Sequence, residues 1–347
     1  MNPTSPQSIC VLRLSAIGDT CNVVPTVRQL QSTFPDATIT WIIGATEHRL
    51  LGAFPGVEFI IVDKSGDSQS QQALKASLRA RHFDVLLHMH ASMRANLLSR
   101  YIRATRKVGF DRARARDFQR WFCTERIAPR PRSHVVDGFL QFAMHLGATP
   151  APPCWDLPID ADADAFAARH IVSPTLIISP CSSDRRRNFR NWSVDNYVAL
   201  AQHAMDTFGL SVMLTGGDTS REHEYGQAIG ESVPCTNLIG QTSLPQLLAL
   251  IARARVVVCP DSGPAHMANG VGTPVVGLFA TSNRLRTGPW RYQALAADRY
   301  PDAVNRFLGK GVDEVRWGQR VRHPDAMHLI QLTDVTEALA RALNTDA

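Results

Sequence analysis

The chain has 347 residues, of which 44% are hydrophobic and 20% charged, a globular composition that excludes disordered and membrane-embedded classes. Its length exceeds one ordinary core and fits two domains of about 150–170 residues each. The net charge of +6 is uneven: residues 100–132 carry eleven Lys/Arg against Asp111, Asp117 and Glu125, an excess of +8 that leaves the remainder near −2. Such a segment points to an anionic partner, with a solvated basic face as the plainer reading.

The amino terminus has no basic segment ahead of its first apolar run, and that run ends by Ser15, so neither a signal peptide nor a spanning helix is read there and a cytoplasmic setting is expected. Seven scattered cysteines, several inside apolar runs, fit reduced buried thiols, and no Cys-x-x-Cys pair is present.

Ile9 to Leu14 reads as a buried strand, Ser15-Ala-Ile-Gly18-Asp19 as a glycine-containing turn, and Val23 to Phe34 as a helix. Strands come next at Thr38–Gly44, Val57–Val62 and Phe83–His90, with helical stretches at Glu47–Leu51 and Gln71–Arg81. This βα alternation predicts a doubly wound parallel sheet. After the basic segment, His134 to Leu146 carries a helical apolar stripe, and Pro150, Pro152 and Pro153 then punctuate the chain. A second βα series runs through Thr175–Ser179, Val194–Phe208, Ser211–Gly217, a helix from Glu222, and Leu244–Arg253, and a terminal helix spans Leu329–Leu343. The expected organisation is an N-terminal domain over 1–155, a linker over 156–172, a C-terminal domain over 173–330 and a closing helix over 331–347.

The most informative stretch is Val256-Val-Val-Cys-Pro-Asp261-Ser262-Gly263-Pro264-Ala265-His266, succeeded by Gly270 to Pro274 and a second apolar run. Strand, tight turn and helix start leave backbone N–H groups and the positive end of a helix at a sheet edge, where a phosphate can be held. Asp19 lies at a corresponding edge. A carboxylate there can take a proton from an attacking hydroxyl, and it can equally be a helix N-cap. The loop from Ser179 to Trp192 holds Ser182, Ser183, three consecutive arginines and the separate Arg190, whose fork geometry suits phosphate oxygens. Thr215-Gly216-Gly217-Asp218 permits close backbone approach to a ligand, or a tight turn alone.

Asp160, Asp162 and Asp164 are read as capping or solvent-exposed rather than metal-binding. His88 and His90 alternate on a strand with no third ligand in place, which makes them pocket lining. No Gly-x-x-x-x-Gly-Lys-Ser/Thr loop, Gly-x-Ser-x-Gly elbow or strand-placed Gly-x-Gly-x-x-Gly occurs, so ATPase, esterase and simple dehydrogenase readings lose ground.

Together, Val11-Leu-Arg-Leu-Ser-Ala-Ile-Gly-Asp19, Asn188 to Trp192, Thr215-Gly-Gly-Asp, Leu238-Ile-Gly-Gln-Thr-Ser-Leu and Pro260-Asp-Ser-Gly-Pro-Ala-His266 resemble glycosyltransferase family 9, the ADP-heptose:lipopolysaccharide heptosyltransferases. Gly109 to Asp117 together with His134-Val-Val-Asp137 looks most like the heptosyltransferase I branch. The resemblance implies a GT-B α/β fold, two Rossmann-like doubly wound domains facing a cleft, with acceptor mainly on the first and sugar nucleotide mainly on the second. It implies inverting, metal-independent transfer with no cofactor, the ADP-sugar being a substrate.

Carried over position by position, Asp19 is the general base and Arg190 stands where a lysine contacts the diphosphate. Ser182 and Ser183 lie near the phosphates, with Gly216 beside them, and Asp261 holds the donor sugar next to Ser262, Gly263, Pro264, Ala265 and His266. Apart from the resemblance, the acceptor side is assigned Arg13, Gly18 and His90, with Arg112, Arg114, Arg116 and Arg120 for acceptor phosphates and carboxylates. The implied partners are ADP-heptose and an anionic lipopolysaccharide precursor at the inner-membrane surface, with Kdo or heptose on lipid A as acceptor. No nucleic acid is expected. Three other readings stay open: a different nucleotide sugar or acceptor, a nucleotide-sugar epimerase, and a non-catalytic polyanion-binding module built on residues 100–132.

Overall fold

In the computed structural model, residues 5–183 and 187–344 are described, and they divide into two units, residues 1–158 and 159–347. The first unit contains one parallel sheet of β1 (Ser8–Leu12), β2 (Thr38–Gly44), β3 (Val57–Val62), β4 (Phe83–His88), β5 (Ala104–Gly109) and β6 (Glu125–Arg126). Helices α1 (Ile17–Thr33), α2 (Ala45–Leu51), α3 (Ser68–Ala80), α4 (Met93–Ser99) and α5 (Val135–His145) accompany it. The strand order is β3-β2-β1-β4-β5-β6, so the winding reverses between β1 and β4. Covered on both faces, β1 and β4 are apolar almost throughout, and Cys10, Leu12, Ile42 and Leu86 join one core cluster.

The second unit opens with α6 (Ala161–His170) and repeats the arrangement with β7 (Thr175–Ile178), α7 (Val194–Phe208), β8 (Ser211–Leu214), α8 (Ser220–Ser232), β9 (Thr236–Asn237), α9 (Leu244–Arg253), β10 (Val256–Pro260), α10 (Gly263–Val271), β11 (Val275–Phe279) and β12 (Ala297–Asp298). Its order, β9-β8-β7-β10-β11-β12, is all parallel and reverses between β7 and β10. The terminal helix Leu332–Leu343 adds Val335, Ala338, Leu339 and Ala342 to this unit's core.

The boundary between the units, at residues 158 and 159, falls within the tract expected as a connection over 156–172, and that tract carries structure of its own. Arg28 pairs with Asp156 at 2.8 Å, and Gln29 donates to the Thr149 carbonyl at 2.6 Å, which ties 149–156 back onto α1. Residues 161–170 form a helix because Asp160 caps it, accepting from Ala163 N at 2.7 Å, and Asp164 clamps Arg253 of α9 through two contacts of 2.9 and 2.8 Å. Asp160 and Asp164 of the aspartate run therefore do capping and pairing work within the second unit.

Candidate active site

In doubly wound sheets ligands gather at the carboxyl ends of the strands where the winding reverses. In the first unit that edge collects the residues just beyond β1 and β4. The backbone of Arg13 is fixed on two sides, its N–H donating to Ile42 O at 3.2 Å and its carbonyl accepting from Trp41 Nε1 at 3.1 Å. Its guanidinium lies over the Phe139 ring, donates from Nη1 to Met89 O at 2.8 Å, and reaches Asp19 Oδ2 from Nη2 at 2.5 Å. Arg13 is nearly buried, whereas the Asp19 side chain remains 41% exposed, so its carboxylate is both anchored and reachable.

Asp19 is not the N-cap of α1. Ala16 occupies that position with no side-chain cap, and Asp19 sits two residues inside the helix with Gly18 buried beside it. His90 Nδ1 accepts the Leu14 N–H at 3.0 Å, which leaves this nitrogen unprotonated. Burial, reinforced by Arg13, pushes the imidazole down to about 3. His88 is wholly buried and pushed down to about 4 by burial, its carbonyl accepting from Gln119 Nε2 at 2.8 Å. Both rings are neutral at physiological pH. Among the described residues no three His, Cys, Asp or Glu side chains group as a metal site.

Glu47, in the first turn of α2, was not anticipated. It is 6% exposed, and burial raises its carboxyl above the usual range against the pull of Lys64, Arg94 and Arg13. A carboxylate just after a strand end is the signal that could have found it, the same one that marks Asp19.

The basic segment leaves β5 at the same sheet edge. Part of its charge is spent internally: Arg106 grips Glu125 through two contacts of 2.7 Å, His145 adds a third at 2.8 Å, and Arg114 pairs with Asp111 and donates to Ala128 O. Arg114 is thus separated from Arg112, Arg116 and Arg120. Those three line a concavity of about 450 Å³ with Arg126, a residue the sequence reading had not included.

In the second unit, residues after β7, β10 and β11 converge. Arg190 Nη1 donates to the Asp261 carbonyl at 2.5 Å and lies 3.6 Å from Asp261 Oδ2, while its Nε donates to Asn188 Oδ1 at 2.7 Å. Asn188 in turn donates to Ser182 Oγ at 2.7 Å and to the Ser183 carbonyl, and Asn191 Oδ1 accepts from Ser182 N and Oγ at 2.9 and 3.0 Å. Trp192 anchors this loop, fully buried with Nε1 donating to Ile330 O at 3.0 Å. Asp184 and the first two of the three consecutive arginines, residues 184–186, lie outside the described residues.

Ser262 is the N-cap of α10, yet its hydroxyl turns back to the Pro260 carbonyl at 3.0 Å and no side chain caps the helix. The first turn of α10 therefore starts without the usual capping hydroxyl or carboxylate over its N–H groups, Pro264 having none to offer. Asp261 is almost buried and accepts from Ser282 Oγ at 2.7 Å. Thr281, Ser282 and Asn283 lie just beyond β11, are all nearly buried, and were missed by the sequence reading. Gly216 has a local explanation: an added Cβ would lie 3.1 Å from Glu222 Oε1, and that carboxylate accepts from Gly217 N at 2.7 Å. The glycine pair makes room for this contact at the start of α8.

Two Rossmann-like units, each with polar side chains at its reversal point, have the α/β architecture of GT-B proteins, and similarity to known proteins gives the class. A model of glycosyltransferase family 9 (heptosyltransferase) matches residues 71–301. The lipopolysaccharide core heptosyltransferase OpsX of Haemophilus influenzae is 36% identical over 336 residues, covering 95% of both chains. Among solved structures, a family 9 glycosyltransferase from Veillonella parvula superposes with a TM-score of 0.78 at 22% identity over 97% of each chain. E. coli heptosyltransferase WaaC with ADP gives 0.75 at 16% identity, covering 96% of this chain and 99% of that one. The chain belongs to glycosyltransferase family 9 and is a glycosyltransferase.

Proposed function

We propose that the enzyme moves heptose from ADP-heptose to an anionic lipopolysaccharide inner-core acceptor, Kdo or heptose on lipid A, with inversion and without a metal. The reading is supported by the name of the H. influenzae relative and by ADP in the E. coli structure of the same fold. The observation that carries it is the Arg13–Asp19 pair, a half-exposed carboxylate held in one orientation at the β1 end.

In the proposed reaction Asp19 accepts the proton of the acceptor hydroxyl as its oxygen attacks the anomeric carbon. The bond from that carbon to the β-phosphate oxygen breaks on the opposite face, and ADP departs with the electron pair. Arg190 and the first turn of α10, from Ser262 and Gly263 through Pro264, Ala265 and His266, meet the developing diphosphate charge. Ser182 and Ser183 offer hydroxyls to the phosphates, and Asp261 accepts from donor-sugar hydroxyls. Gly18 and His90 border the acceptor beside Asp19, and Arg112, Arg116 and Arg120 attract its phosphates and carboxylates. Arg114, paired with Asp111, has no place in that set.

Asp19→Asn is expected to lower transfer by about 10²–10⁴-fold while ADP-heptose still binds. Product formation on lipopolysaccharide precursor and calorimetric titration of the donor test this, and near-normal turnover in the variant would remove Asp19 as base. A thermal-shift panel of ADP, UDP, GDP and their sugars tests the donor, with stabilisation by ADP-heptose expected above the UDP and GDP sugars.

A further inference from the structure

Phe118 and Trp121 are 57% and 69% exposed, yet they stack on each other with ring centroids 4.9 Å apart and planes 21° from parallel. They are not loose. Asp117 and Phe118 hold positive φ angles of 51° and 63°, a conformation that costs non-glycine residues and persists only when the surroundings impose it. The surroundings here do so: Asn96 Nδ2 donates to the Asp117 carbonyl at 2.6 Å, Met93 N donates to Asp117 Oδ2 at 2.9 Å, and buried Gln119 donates to the His88 carbonyl at 2.8 Å. The fold thus presents two large apolar rings to solvent on a fixed support.

The concavity beside them is lined by Arg112, Arg116, Arg120 and Arg126, and Arg120 also covers one side of Trp121 with its guanidinium 5.6 Å from the ring. Among the described residues none of these four arginines forms a salt bridge, in contrast to Arg106 and Arg114. Asp117 is the one acid on the rim, and Met93 N already holds it.

We propose that this patch docks the enzyme on an anionic lipid bilayer, the stacked rings entering the headgroup boundary and the four arginines meeting lipid phosphates, three of them being the groups that also attract the acceptor's phosphates in the proposed reaction. Amphipathic rings favour the interfacial layer, and clustered arginines are attracted to anionic leaflets by roughly fivefold in affinity each. The two contributions add, since binding strength scales with the apolar area buried plus the attraction to anionic lipid. No described helix is long and apolar enough to cross a membrane. Single-stranded nucleic acid fits the patch less well, because it needs successive aromatic platforms. Tyr101 is covered by Lys75 and Arg79, and Phe110 packs on Phe139 and Phe142, leaving one exposed aromatic pair in the segment.

The test is co-sedimentation of the full chain with vesicles of phosphatidylglycerol and phosphatidylcholine that contain no saccharide and no nucleotide sugar, so that its outcome is independent of the heptosyl-transfer reading. Binding is expected to anionic vesicles, to fall at least tenfold on pure phosphatidylcholine, and to weaken steeply with added salt. Phe118→Asn with Trp121→Gln, where asparagine tolerates the positive φ, is expected to lower vesicle binding about tenfold or more while the thermal midpoint stays at the parental value. Equal sedimentation of parent and variant, or no sedimentation of the parent, would overturn the proposal. Displacement of the parent from vesicles by single-stranded polynucleotide at matched charge, with tighter binding to that polymer, would replace it with the nucleic-acid alternative.

Discussion

At the scale of single residues, Arg13 and Asp19 are one device. Arg13 is gripped by Met89 O and Phe139, so the carboxylate 2.5 Å away inherits a fixed position from the end of β4 and from α5. Lysine at this position keeps the charge and loses the fork that serves two acceptors at once. Arg13→Lys is therefore expected to lower kcat by roughly ten- to a hundredfold, in line with losses from small misplacement of reacting groups, with donor affinity unchanged by calorimetry. His88 makes a different prediction. Its folded-state value of about 4 lies below the unfolded value near 6.5, so as pH falls through 6.5 the unfolded chain takes up a proton that the folded chain refuses. Stability is lost over that window, by about 2 kcal/mol between pH 7 and pH 5 from this residue, and the loss levels off below pH 4. Urea unfolding at the two pH values measures it, and His88→Gln is expected to show a pH dependence smaller by that amount.

At the scale of elements, the site is built from the turns at the carboxyl ends of the strands, and some of those turns tolerate no added atom. Gly44 ends β2 with an ordinary φ of −73°, so it is required for space rather than for conformation. A Cβ there would lie 2.4 Å from the Leu14 carbonyl, directly after Arg13, and 2.3 Å from Glu47 Oε2. Gly44→Ala is expected to cost about 1–3 kcal/mol in urea unfolding and to lower transfer by displacing the β1 turn. In the second unit, Ser282→Ala removes the hydroxyl that donates to nearly buried Asp261, at an expected cost of about 1.5–3 kcal/mol and with weaker ADP-heptose binding. The strands themselves were legible in the sequence, because central parallel strands are buried on both faces and read as apolar runs such as Val256 to Cys259. Asp19, Arg190 and Asp261 were legible as candidates because each lies just beyond such a run or beside a strong marker such as Trp192. Ser282 was not, since turn residues have no periodicity and its importance comes from the partner that folding brings, and Glu47 was passed over although it carries the strand-end signal that marks Asp19. The same holds for the arginines of 100–132, where segregation of Arg114 from Arg112, Arg116, Arg120 and Arg126 depends on Asp111 and two consecutive positive φ angles that composition does not encode.

At the scale of the whole molecule, the chain uses one strand order twice. Each unit reverses its winding between its first and fourth strands, and each sets its candidate ligand groups at that reversal: Arg13, Asp19 and His90 in one, Ser182, Arg190, Asp261 and Ser282 in the other. The division of labour comes from chemistry, since the first edge pairs a carboxylate with a neutral imidazole and the second joins a guanidinium to an uncapped helix start. Every group proposed to hold the nucleotide belongs to residues 159–347, whose sheet, core cluster and terminal helix are complete within that unit. A fragment of those residues is accordingly expected to unfold cooperatively and to bind ADP with a Kd within about tenfold of the full chain, because the diphosphate contacts are local and charge-assisted. The fragment is expected to transfer no sugar, lacking Asp19, and Arg190→Ala within it is expected to abolish the ADP signal. Calorimetry on the fragment checks both. A folded fragment that ignores ADP would move part of the nucleotide site into the first unit, and with it the assignment of Arg190 as the principal diphosphate contact.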